Sequence, residues 1–89
     1  NSRQQSAAAR DAISPLKKTA AAREARLDDL NAILRRLDAA LAEPGLYESD
    51  LARASKLQKE RAALVSAIEA AEKAWLDALE AYESAKAAL

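Results

Sequence analysis

Residues 43–50 read Glu-Pro-Gly-Leu-Tyr-Glu-Ser-Asp and hold the only glycine and one of the two prolines in a chain of 89 residues. Proline lacks the amide that would continue a helix, and glycine is the residue that accepts the left-handed backbone found just past helix ends. Pro44 and Gly45 therefore stop a first helix. Ser49 or Asp50 can then accept a hydrogen bond from the free amides that open a second. The segment is a hairpin turn, and the chain on both sides of it follows helical periodicity.

Upstream of the turn, Leu27, Leu30, Leu34, Leu37 and Leu41 recur in alternating steps of three and four, the a and d positions of a heptad. The pattern extends back through Arg23, Ala20, Leu16, Ile13 and Ala9. Downstream, the same steps give Ala54, Leu57, Arg61, Leu64, Ile68, Ala71, Trp75, Ala78, Tyr82, Ala85 and Leu89. Each arm carries one apolar seam that must be covered, and the short turn makes the other arm the nearest cover. The expected fold is all-α: one two-helix antiparallel coiled-coil hairpin spanning 1–89, with helices at about 3–42 and 51–88 and a turn at 43–50.

Pro15 allows two readings. With Ser14 as cap it could start a helix. The seam favours a continuation kinked near Pro15, because Ile13 and Ala9 share the register of Leu16 and Leu27, and Pro15 falls at position c on the outer face. Length agrees, since a first helix beginning at 15 would not reach Tyr82 and Leu89. Residues 1–5 are expected to fray. Trp75 is expected to sit on the seam opposite the small or flexible stretch Leu16, Ala20 and Arg23. Arg23 and Arg61 interrupt the seams as register-setting residues whose charged ends reach out to water.

Composition agrees with helices and excludes much chemistry. The apolar fraction of 51% is largely alanine and leucine, with no phenylalanine, methionine or cysteine. Alanine, leucine, glutamate, lysine and arginine dominate, as in coiled coils. Without histidine or cysteine, the Ser–His and Cys–His nucleophile systems and the usual zinc ligand sets cannot be built. A single glycine cannot make a phosphate-cradling loop. The carboxylate pairs Glu69/Glu72 and Glu80/Glu83 lie off the seam and read as a solvated helix face. The chain is expected to be non-catalytic, with no cofactor, no metal and no small-molecule substrate. No apolar run approaches the ~18 residues of a membrane span, so a cytoplasmic location without membrane contact is expected.

The net charge of zero hides an asymmetry. Residues 1–37 carry eight basic against four acidic side chains, a net +4, and residues 38–89 six basic against ten acidic, a net −4. One reading is that two arms of opposite sign attract each other. The other is that the basic half meets a polyanion. Arg3, Arg10 and Lys17 recur every seven residues at position e, with Lys18 beside them and Lys86 on the facing flank of the second arm. Arg35 and Arg36 form a smaller patch near the turn. Charges about 10 Å apart along a helix can follow a phosphate backbone. With no aromatic residues between them, contacts to phosphates rather than to stacked bases are expected. A purely structural or protein-interaction coiled coil, with self-association possible, is the alternative.

Four stretches carry a resemblance: Ser14-Pro15-Leu16-Lys17-Lys18, Leu27 to Ala32 (LDDLNA), Leu46-Tyr47-Glu48-Ser49-Asp50 at the turn, and Ala71 to Glu83 (AEKAWLDALEAYE). Across about residues 14–83 the chain resembles the C-terminal extension of ABC-F ATPases, in particular the YheS-like branch, with Uup-like proteins as near relatives. The Leu-Tyr turn and the Ala-Trp-Leu segment are its most specific parts. The resemblance implies an excised domain of a larger bacterial, cytoplasmic ATPase that acts on ribosomes and whose cassettes use ATP and magnesium. It also implies an accessory nucleic-acid-binding arm, with DNA binding described in Uup-like members and ribosomal RNA the other candidate. The family often has Asp-Pro where Asp50-Leu51 stands here, so the second helix is expected to start less sharply.

Overall fold

The computed structural model describes all of residues 1–89 and is all-α. Helix α1 spans Ser2–Leu41, α2 is a single turn over Leu46–Ser49, and α3 spans Leu51–Ala87. At 1.5 Å per residue the two long helices are each nearly 60 Å. End to end they would exceed ~110 Å, yet the molecule measures 73 × 15 × 14 Å and α1 packs on α3. These dimensions are those of a helical hairpin. No helix is long and apolar enough to cross a membrane.

The turn is more structured than an eight-residue loop. Helix α1 closes at Ala42, whose amide donates to the Asp38 carbonyl at 3.0 Å. Gly45 then takes a left-handed backbone at φ +79°, ψ 3°. From there α2 forms, held by Ser49 N–H to Gly45 O at 2.9 Å and by the Ser49 hydroxyl donating to the same carbonyl at 2.7 Å. Asp50, not Ser49, caps α3: its Oδ1 accepts from the Arg53 amide at 3.0 Å. The cap gives α3 a sharp start although Leu51 follows it and not a proline, because a carboxylate here satisfies an amide that has no helical partner.

One substitution tests the turn. A Cβ added at Gly45 would meet nothing within 4 Å, so Gly45→Ala carries only the cost of a left-handed backbone, about 1–2 kcal/mol. Chemical denaturation should show that loss with an unchanged denaturant slope.

The N-terminal boundary differs from expectation, while the continuation through Pro15 agrees with it. Residues 1–5, expected to fray, are helical from Ser2, where Asn1 and Gln4 form a capping box: Asn1 Oδ1 accepts from the Gln4 amide at 2.9 Å, and Gln4 Oε1 accepts from the Asn1 amine at 3.4 Å. Pro15 lies inside α1, which runs unbroken through it, so it is not a helix start.

Burial follows the seams. On α1, Ile13, Leu16, Leu27, Leu30, Leu34, Leu37 and Leu41 are half-buried and Ala20 is buried. On α3, Ala54 and Ala71 are buried, while Leu57, Arg61, Leu64, Ile68, Trp75, Ala78, Tyr82 and Ala85 are half-buried. Ala9, Arg23 and Leu89 remain exposed. Two helices can cover only one stripe of each other, so few side chains lose all contact with water. Ala54 does, at 0% exposure, and Leu46 of α2, at 3%, closes the tip of the seam.

Candidate nucleic-acid interface

The cations of interest sit on the two long helices. Arg3, Arg10, Lys17, Lys18, Arg35 and Arg36 project from α1, and Lys86 from the last turn of α3; all are exposed. Regular helix from Ser2 onward keeps Arg3, Arg10 and Lys17 on one face at their seven-residue spacing, roughly 10.5 Å apart. None of the α1 cations forms an ion pair. The Arg10 Nε donates to the Ser6 carbonyl at 3.3 Å, which leaves its charge without a carboxylate.

Lys86 differs from the rest. Its Nζ lies 3.3 Å from Glu83 Oε2 and 5.1 Å from the centre of the Tyr82 ring. The neighbouring carboxylate offsets its charge, so it contributes less to a positive flank than its position suggested.

Four ion pairs exist: Glu43–Arg53 at 3.1 Å, Asp38–Arg61 at 2.6 Å, Lys73–Asp77 at 2.9 Å and Glu83–Lys86 at 3.3 Å. Every member lies in residues 38–89. All eight basic side chains of residues 1–37 are therefore free of carboxylate partners. The two pairs that link separate elements join acids near the end of α1 to bases on α3, the reverse of a basic first arm meeting an acidic second one. No ion pair in the hairpin joins a base of residues 1–37 to an acid of residues 38–89.

Arg61 behaves as a seam arginine should. Its side chain leaves the apolar stripe and donates through Nε to Asp38 Oδ1, and that hydrogen bond, reinforced by the carboxylate charge, raises the guanidinium above its ordinary value. Lys73 is raised in the same way by Asp77. Stability gained from a raised cation is present at neutral pH and is lost only as pH climbs past the raised value, so both pairs persist through the physiological range.

The structure adds a feature that periodicity did not single out. Arg23 and Arg26 of α1 face Ala67, Ala70, Ala71 and Ala74 of α3 across an open cleft. The alanine spacing of i, i+3, i+4 and i+7 was readable as a narrow helix face. Its placement opposite two arginines was not, because that depends on how the arms are aligned. Comparison with protein-family models, curated proteins and solved structures finds no match to this chain.

Proposed function

We propose that this chain is an antiparallel coiled-coil hairpin, bent at Pro15, that serves as a non-catalytic C-terminal arm of an ABC-F-type ATPase. The arm would lend electrostatic contacts to nucleic acid, ribosomal RNA or DNA, in the bacterial cytoplasm. ATP and magnesium belong to the cassettes of the parent protein.

The antiparallel pairing is supported by how partners run along the arms. As α1 descends from Glu43 in the turn to Asp38 and then to Arg26 and Arg23, the facing α3 residues rise from Arg53 to Arg61 and then to Ala67–Ala74. The bend is supported by chemistry, since Pro15 offers no amide to the carbonyl four residues earlier and its ring crowds that carbonyl.

The observation that carries the function is the unpaired state of all eight cations in residues 1–37. Cations already held by carboxylates would have to break those contacts to reach phosphates; these have none to break. Arg3, Arg10, Lys17 and Lys18 supply the longest run, Arg35 and Arg36 a second patch near the tip.

A titration of the isolated chain against ribosomal RNA and duplex DNA at several salt concentrations tests the reading. Affinity should fall linearly on a log–log plot of binding against salt, because each neutralised phosphate releases a counterion. Absence of binding to either polyanion at low salt would leave a structural or protein-interaction coiled coil.

A further inference from the structure

The charges left unpaired in the hairpin are arranged so that a second copy can pair them. With the seam at heptad positions a and d, an antiparallel pair has one flank where g meets g and another where e meets e. Arg26, Ala67 and Ala74 occupy g, so their shared cleft marks the g flank. The e flank, on the other side, carries Arg10, Lys17 and Glu24 from α1 and Glu72 and Leu79 from α3. Asp28 on α1, and Glu69 and Leu76 on α3, lie beside it at position b.

The antiparallel register proposed above fixes their order along the axis. With Glu43 level with Arg53 and Asp38 with Arg61, Leu76 and Leu79 stand level with the Lys17–Arg23 stretch of α1. Glu69 and Glu72 stand level with Asp28 and Glu24. Apart from Arg3 at the open end and Lys86, which is paired with Glu83, the flank thus reads, from the open end, as two cations, two leucines and four acids. Leu76 is 48% exposed and Leu79 half-buried, which makes an apolar centre open to solvent. None of these cations or acids has an ion-pair partner. By helical rise, Arg10 lies about 15 Å to one side of the leucines and Asp28 about 12 Å to the other.

We infer that the e flank is an interface for a second copy of this chain, arranged about a two-fold axis at Leu76 and Leu79. A two-fold interface uses the same patch twice, so the patch must be self-complementary. Rotation about the leucines brings Arg10 opposite Asp28 and Glu69 of the second copy, and Lys17 opposite Glu24 and Glu72 of the second copy. The leucines cover each other, and the charges on either side set orientation and exclude other registers. Arg10 and Lys17 then serve either a second copy or a phosphate, not both at once.

Sedimentation at high micromolar concentration and low salt should show a twofold rise in mass over the monomer. Arg10→Glu/Lys17→Glu makes both pairing cations acidic, and Glu24→Lys/Asp28→Lys/Glu69→Lys/Glu72→Lys makes all four pairing acids basic. Each variant alone should be monomeric with wild-type helicity, and an equimolar mixture should regain the doubled mass. Leu76→Glu, at an exposed position where folding tolerates a charge, should also be monomeric. A wild-type chain that stays monomeric, a mixture that fails to associate, or a Leu76→Glu chain that still dimerises would overturn the inference. No nucleic acid is present in these measurements, so their outcome is separate from that of the salt titration.

Discussion

Trp75→Ala is expected to lower the unfolding free energy by about 3 kcal/mol, the largest loss of any single truncation along the seam. Trp75 is half-buried at an a position of α3. The ion-paired levels at Glu43–Arg53 and Asp38–Arg61 bring it alongside the Ala20–Arg23 turn of α1, where a buried alanine leaves room for an indole. The effect belongs at the lower end of the range for tryptophan, because two helices leave one edge of the ring in water. For a domain of this size the thermal midpoint should drop by roughly 12–24 °C. Leu51→Ala, at a position 64% exposed, is the control and should stay within about 0.5 kcal/mol. An unchanged midpoint in Trp75→Ala would mean that the seam has been misassigned and that the hairpin is held by other contacts.

Much of this architecture is written in the spacing of the apolar residues. Steps of three and four from Ile13 to Leu41 and from Ala54 to Ala85 mark a helix face whatever that face packs against, and the burial pattern follows them. Pro44 and Gly45 mark the turn because their backbone preferences are local. Features that depend on three-dimensional placement are less legible. Leu46 belongs to no periodic run, and its burial follows from α2, a turn of helix formed only because Gly45 and Ser49 fold onto each other. The choice of Asp50 over Ser49 as cap is likewise decided by geometry: Ser49 spends its hydroxyl on the Gly45 carbonyl. Charge counts gave the asymmetry between the halves but not its distribution into pairs. Whether a lysine finds a carboxylate depends on the relative height of two helices, which the count does not contain.

Replacing Arg10, Lys17 and Lys18 together by glutamine should produce the largest functional change. None of the three holds a carboxylate in the hairpin, and glutamine has good helix propensity, so stability should hardly move and the loss can be read as electrostatic. On duplex DNA each lost phosphate contact should flatten the salt dependence by up to ~0.9 log units, or roughly 2.7 for all three. Binding to unrelated sequences should weaken about equally, because phosphates carry no sequence information. In a parent ATPase of the proposed kind, action at the ribosome should suffer while ATP hydrolysis by the cassettes is unchanged. The same substitutions also remove cations from the proposed self-association flank, so binding must be measured at chain concentrations where that association does not occur. Glu24→Lys/Asp28→Lys/Glu69→Lys/Glu72→Lys separates the two roles further. It should abolish the homodimer and yet bind polyanions at least as tightly as the wild type, since it takes away acids and adds bases on the same face. A triple glutamine variant that binds as tightly as the original, with the same salt slope, would remove phosphate contact from these residues. The unpaired charges of α1 would then serve protein contacts alone.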